Sequence, residues 1–219
     1  AFRDDLNTGI FSSAADTFDI ATAGTQRLSI DSSGRLLQGK TATKLSMGGN
    51  TPTFCNEIAS INPNVFEIAN NGTNLSYSSL VLSRSDSTSV NGHTAVDSGD
   101  QIGEVDFIGA DGEDRKNIAA AIKAFANADF TANNCPAFLT FHTNGGSASA
   151  SERLRIDKDG RVLIGTTTAG HGDMDDITIA TAGNTGITIR SGSTSDGFLA
   201  FADGTSGNAQ FEGFIQYDH

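Results

Sequence analysis

The sequence predicts an all-β chain built from repeated hairpins, on three observations. One phrase occurs twice, as TQRLSIDSSGRLLQGK over residues 25–40 and SERLRIDKDGRVLIGT over 151–166, an offset of 151 − 25 = 126 positions. Both copies alternate apolar and polar side chains on either side of a glycine-bearing turn, which is the pattern of a β-hairpin. Further short alternating runs, punctuated by glycine, recur along the rest of the chain and mark a repeat-built architecture.

The second copy shows the register plainly. Leu154 and Ile156 alternate with Arg153, Arg155 and Asp157; beyond the turn, Val162 and Ile164 alternate with Arg161 and Leu163. A loop of Lys158, Asp159 and Gly160 requires positive φ at Gly160, as in a type I turn closed by a G1 bulge. Asp157 then faces Arg161, Ile156 faces Val162 and Leu154 faces Ile164, so four aliphatic side chains share one face. In the first copy Asp31 faces Arg35 across Ser32, Ser33 and Gly34, and Leu28, Ile30 and Leu36 share a face with Gln38 at its edge.

The residues singled out are therefore structural turn residues: Asp31, Gly34 and Arg35, and Asp157, Gly160 and Arg161. The Asp–Arg pairs read as cross-strand ion pairs on a solvated face. The run DKDG resembles the start of a calcium loop, but Asp159 is replaced by Ser33 in the other copy. The glycine at loop position six and the distal glutamate are also missing. Turn chemistry accounts for Asp and Gly without a ligand, and neither metal nor cofactor is expected.

The remaining elements follow the same rhythm. FDIATAG at 18–24 returns as ITIATAG at 177–183, and ITIRSGSTSDGFLAFADGTSG continues the alternation of strand and turn. FEGFIQYD places Phe211, Gly213, Ile215 and Tyr217 on one face. Residues 42–150 break the pattern and read as a small β-rich domain, with strands at Leu80–Leu82, around Ile102–Phe107 and at Phe138–His142. The run NIAAAIKAFANADF is ambiguous. Its alanines favour helix, yet Ile118, Ala120, Ile122, Ala124 and Ala126 also fit one strand face. The division is thus a hairpin repeat over 1–41, the β-rich domain over 42–150, and hairpin repeats over 151–219.

Only 37% of the 219 residues are hydrophobic and 18% are charged, with 25 Gly and no Trp. A chain so lean in apolar residues has difficulty filling a core alone and is expected to bury its apolar faces against further chains. An isolated hairpin with four aliphatic residues is marginal in water; its neighbour is either the next repeat or a symmetry mate. The net charge of −12 argues against a nucleic-acid partner. No run has the length of a membrane span and no signal peptide opens the chain. The start at AFRDDLNTGIF, without Met, suggests a piece of something longer. Cys55 and Cys135, far apart, read as ordinary buried thiols.

Together the phrases NTGIFSSAADTFDIATAGTQRLSIDSSGRLL, SGDQIGEVDFIGADGEDRKNIAAAIKAF and SERLRIDKDGRVLIGT resemble phage tail-fibre proteins, especially those of marine and cyanobacterial phages. The closing FADGTSGNAQFEGFIQYDH resembles the distal part of such fibres, where it precedes more hairpins and an intramolecular chaperone domain. The resemblance covers most of the chain and is weakest over 42–78. It implies an elongated homotrimer, its strands wound into a shared β-prism or triple β-helix. It implies a strand, not a helix, at IAAAIKAF. It further implies a virion component of the phage tail. Such a component has other tail proteins and a host-surface glycan or protein receptor as partners, and acts in host attachment without catalysis or membrane insertion.

Two alternatives carry other consequences. A purely structural virion spacer would leave receptor binding to another part of the fibre. A tailspike-like enzyme degrading host surface polysaccharide would need two carboxylates facing each other across a groove. Asp111, Glu113 and Asp114, or Asp173, Asp175 and Asp176, are the candidates, although each cluster sits in a glycine-rich run that reads first as a turn. His93, Asp97 and Ser98 supply the residue types of a hydrolytic triad, but as neighbours on one loop and without the geometry that defines one. The four His are scattered, without metal-ligand spacing.

Overall fold

Alternation by twos commits these segments to strands, and short turns commit successive strands to pairing with each other. The result, in a computed structural model, is an all-β chain whose sheets follow sequence order. The structure describes residues 6–38, 54–56, 68–69, 77–210 and 212–218. It divides into two units, Ala1–Thr178 and Ile179–His219.

The first sheet is formed by β1 (Gly9–Phe11), β2 (Phe18–Thr22), β3 (Thr25–Ile30), β4 (Leu36–Gln38) and β5 (Phe54–Asn56), in that order. Its first four strands are antiparallel and β5 joins β4 in parallel. The second sheet runs β6 (Gln101–Ile108), β7 (Ile118–Ala126), β8 (Ala137–Thr143), β9 (Ser151–Ile156), β10 (Val162–Ile164) and β11 (Ile177–Ile179), each beside its neighbour in sequence. In the second unit, β12 (Gly197–Phe201) pairs antiparallel with β13 (Gly213–Tyr217). The one helical turn among the described residues is a 3-10 turn at Gly207–Gln210.

The ambiguous alanine-rich run is β7, paired on both sides. Backbone partners from β6 and β8 override the local helix preference of alanine. Two expected strands do not form. Among the described residues Leu80–Leu82 and Ile187–Ile189 belong to no ladder, because a strand is defined by backbone pairing and none of the described strands pairs with them. The echo of FDIATAG is also incomplete. Ala23 and Gly24, at φ +52° and +70°, make the tight β2–β3 turn, whereas Ala182 and Gly183 stay out of the left-handed region.

The internal repeat proves larger than a hairpin. Phe18, Asp19 and Ile20 pair with Ile30, Ser29 and Leu28, after which the register slips so that Ala21 pairs with Gln26 and Arg27 is the extra residue. Leu139, Thr140 and Phe141 pair with Ile156, Arg155 and Leu154, after which His142 pairs with Glu152 and Arg153 is extra. In both places the bulged arginine reaches back to the neighbouring strand: Arg27 Nε donates to the Thr22 hydroxyl at 3.0 Å and Arg153 Nε to that of Thr143 at 3.2 Å. The repeated unit is thus three strands, β2–β3–β4 and β8–β9–β10, with a bulge at a fixed position.

Register sorts each sheet into two unlike faces. One face of the second sheet carries the row Val105, Ile122, Phe141, Leu154 and Ile164. The other carries Glu104, Lys123, Thr140, Arg155 and Leu163. The first sheet matches it, with Ile10, Ile20 and Leu28 on one face and Phe11, Asp19, Ser29 and Leu37 on the other. Burial within the chain favours the mixed face. Leu37, Leu163, Thr140 and Asp19 are the largest fully buried side chains described. The apolar faces stay open.

Candidate functional site

The repeated turn is built around one carboxylate. At Gly34 and Gly160 φ is +75° and +85°, and the amides of these glycines donate to the carbonyls of Asp31 and Asp157 at 2.8 and 3.0 Å. One carboxylate oxygen then gathers backbone amides: Asp31 Oδ1 accepts from Ser33 and Arg35, both at 3.0 Å, and Asp157 Oδ1 from Asp159 at 2.9 Å and Arg161 at 3.0 Å. The other oxygen takes the guanidinium, Arg35 Nε at 2.6 Å and Arg161 Nε at 2.7 Å. The aspartate is thus an internal cap of the turn as well as half of an ion pair, a role the alternation pattern did not reveal.

Electrostatics follow from these contacts. The Arg35 guanidinium, ahead of the Arg35 and Ser33 amides, holds Asp31 below the usual carboxylate range against the opposing effect of burial. At Asp157 burial pushes upward, and the Arg161 amide and guanidinium outweigh it, so the net shift is downward. Arg161 is raised by Asp175 and then Asp157. It reaches Asp175 and Asp159 as well, both at 2.7 Å. Three carboxylates around one guanidinium make this turn a closed charge cluster.

Of the carboxylates weighed as catalytic candidates, Asp111, Asp114 and Asp175 are occupied with local structure. Asp111 Oδ1 accepts the Glu113 and Asp114 amides at 3.0 and 2.8 Å, and its Oδ2 accepts from Asn117 at 3.0 Å. Asp114 pairs with Lys116 at 2.5 Å. Asp175 belongs to Arg161, while Asp173 lies exposed, 3.6 Å from His171. The Ser98 hydroxyl donates to the Asn127 carbonyl at 3.2 Å and its amide to Asp129 at 2.8 Å, so the loop of His93, Asp97 and Ser98 is tied to the segment after β7. Among the described residues no group of three His, Cys, Asp or Glu side chains is placed to hold a metal ion, and no helix is long and apolar enough to cross a membrane. Cys135 is exposed, which corrects the expectation of a buried thiol; it follows the tight Thr131–Asn134 bridge that holds this loop at the surface. The side chain of Cys55 lies outside the described residues.

A polar network on the mixed face of the second sheet was not foreseen. Glu104 accepts from Lys123 at 2.7 Å, Arg155 grips Glu152 at 2.6 Å, and the Arg155 guanidinium lies 4.4 Å from the centre of the Phe138 ring. Phe138 in turn stacks on Phe125, with centroids 5.4 Å apart. Asp106 is pushed upward by burial and by Glu104, and its Oδ1 is buried with no hydrogen-bond partner.

Each sheet exposes apolar side chains. Val105 and Phe107 are 42% and 54% exposed, and Ile156 and Ile164 are exposed on the same face of the second sheet; Ile10, Phe18 and Ile30 are exposed in the first sheet, and Phe198, Phe201, Phe214 and Ile215 in the β12–β13 pair. Apolar faces so extended mark interaction surfaces.

No protein-family model and no curated protein sequence matches the chain. Solved structures do. The chain is similar to the carboxy-terminal domain of the bacteriophage T5 L-shaped tail fibre, with a TM-score of 0.51 and 16% identity, over 81% of this chain and 77% of that one. It is similar to the same domain with its intra-molecular chaperone domain, with a TM-score of 0.53 and 16% identity, over 88% of this chain and 57% of that longer one. The chain therefore has the fold of a phage tail-fibre domain.

Proposed function

We propose that this chain is a non-enzymatic segment of a phage tail fibre that assembles as an elongated homotrimer and helps attach the virion to the host cell surface. The observation that carries the reading is the open apolar face of each sheet, in a chain whose fold matches a tail-fibre domain. Three copies around an axis would turn the rows of Leu154, Ile156, Val162 and Ile164 into a closed interior. The acidic surface, at net charge −12, suits a particle that must stay dispersed. The phrase-level resemblance is what assigns the fibre to marine and cyanobacterial phages. Host receptors and neighbouring tail proteins are the partners this role requires.

Light scattering on the refolded chain across a concentration series tests assembly: a trimer mass is expected, and a stable folded monomer throughout would overturn it. Incubation with host surface polysaccharide tests catalysis. No oligosaccharide should be released; release that disappears in Asp173→Asn or Asp111→Asn would make the chain a tailspike-like enzyme. Fluorescent protein retained on host cells supports attachment, and absence of binding by an intact trimer favours the spacer role.

A further inference from the structure

The sequence holds three Asn-Gly pairs, at 71–72, 91–92 and 144–145. The first lies outside the described residues. The other two sit in turns that hold the asparagine very differently. Asn91 is the third residue of the turn over 89–92, which the Gly92 amide closes on the Ser89 carbonyl at 3.0 Å. Its φ is +61°, the left-handed position that a type II turn fills with Gly or Asn. Gly92 is required by packing, because a Cβ there would collide with the Ser87 side chain, whose hydroxyl accepts the Ser89 amide at 3.1 Å. Turn geometry at 91 and close packing at 92 thus select the pair together. The Asn91 side chain is exposed, and none of its polar atoms is bonded to another described residue.

Asn144 is the opposite case. Its Oδ1 accepts the Gly146 and Ser147 amides, both at 2.8 Å, and its Nδ2 donates to the Ser147 and Ile118 carbonyls at 2.7 and 3.2 Å. Its own backbone amide donates to the Ala119 carbonyl at 2.9 Å. This side chain is a strut between its turn and the start of β7, and it cannot swing back onto its own backbone while those bonds hold.

We propose that Asn91 is a self-modification site, converted in the folded protein to aspartate and isoaspartate through attack by the Gly92 backbone nitrogen, while Asn144 is preserved. The nitrogen attacks Asn91 Cγ. A bond forms between them, the Cγ–Nδ2 bond breaks, and Nδ2 leaves as ammonia with the proton that the Gly92 nitrogen gives up. One water then opens the cyclic imide, its hydroxyl going to a carbonyl carbon and its proton back to the nitrogen. Opening at Cγ gives aspartate; opening at the backbone carbonyl gives isoaspartate, whose main chain runs through Cβ and Cγ. A side chain on the following residue hinders this attack, and glycine has none. The Gly92 amide must first leave the Ser89 carbonyl, a single turn bond that local opening breaks readily. Asn144 would have to give up four side-chain bonds. Either product adds a negative charge to the 89–92 turn, and isoaspartate adds a main-chain carbon as well.

Peptide mapping by mass spectrometry on the full chain, aged at mildly alkaline pH with and without denaturant, tests the proposal. In the folded protein Asn91 should convert at least about tenfold faster than Asn144, a ratio set by the hydrogen bonds that Asn144 alone must break. In denaturant the two should convert at similar rates, since glycine follows both. Asn91→Gly, which keeps a residue suited to positive φ, should abolish the conversion at 91 and leave that of Asn144 unchanged. Equal rates in the folded protein would overturn the proposal, as would an Asn91 that stays intact while the unfolded chain converts. A preference for Asn91 that persists undiminished in denaturant would also overturn it, by tracing the difference to local sequence instead of the fold.

Discussion

Arg155 holds Glu152, three residues earlier on the same strand, through two bonds of 2.6 and 2.8 Å. In a regular strand residues three apart point to opposite faces. The contact exists because Arg153 is an extra residue in the β8–β9 register. The bulge rotates Glu152 onto the face of Arg155, and Arg153 spends its own side chain on Thr143. Arg27 occupies the same place in the first repeat.

Deleting Arg153 should therefore cost little more than truncating it. Deletion restores strict alternation and leaves Glu152 on the face of Arg155, opposite to that of Leu154, because the residue removed is the extra one. Arg153→Ala removes one exposed hydrogen bond, a loss of about 1 kcal/mol. Denaturant midpoints of the two variants check this; a deletion midpoint far below that of Arg153→Ala would mean that the bulge itself is needed.

Gly160→Val should destabilise the turn by roughly 1–3 kcal/mol, because φ is +85° there and a β-branched residue resists it. A Cβ at this position meets nothing within 4 Å, so the whole penalty is conformational. Gly160→Asn should consequently recover most of the stability. A melting temperature unchanged in the Val variant would contradict the turn geometry.

Asp157→Ala should weaken the second copy more than Asp157→Asn. Asparagine keeps an oxygen for the Asp159 and Arg161 amides and loses only the charge facing Arg161. Alanine strands both amides, which costs more than an exposed ion pair returns. Thermal unfolding should rank wild type above Asn above Ala.

Asp19 sets an acid limit. The Ser29 hydroxyl, opposed by burial and reinforced by Ser13 and Thr17, holds its pKa at about 2, against 3.8 for the free group. A carboxylate with a depressed folded pKa stabilises the fold above its unfolded value and loses that contribution as pH falls toward the folded one. Stability should thus decline between about pH 4 and pH 2, and Asp19→Asn should flatten this part of the profile. An unchanged slope in the variant would remove Asp19 as the cause.

Asp106 has the opposite sign. Burial and Glu104 raise its pKa, so its contribution is present below the unfolded value of 3.8 and is lost as pH rises through the folded one. Asp106→Asn should accordingly melt above wild type at pH 7, with the difference shrinking below about pH 4. A variant less stable than wild type at pH 7 would show that the carboxylate is needed there.

Alternation and turn chemistry alone determined a great deal. The pairings of Ile156 with Val162 and of Leu154 with Ile164, the positive φ at Gly34 and Gly160, and the shared aliphatic face are all local consequences of period two and a three-residue loop. The tertiary structure decided what depends on neighbours distant in sequence. It made 118–126 a strand, since only β6 and β8 could outbid alanine's helical preference. It left Leu80–Leu82 and Ile187–Ile189 without ladders, since pairing belongs to two segments and the sequence of one cannot state it. It placed the bulges at Arg27 and Arg153, which no alternation pattern marks. It also buried Leu37 and Leu163 on the mixed face and left Val105, Phe107, Ile156 and Ile164 exposed on the apolar one, because which face of a sheet is covered depends on segments distant in sequence.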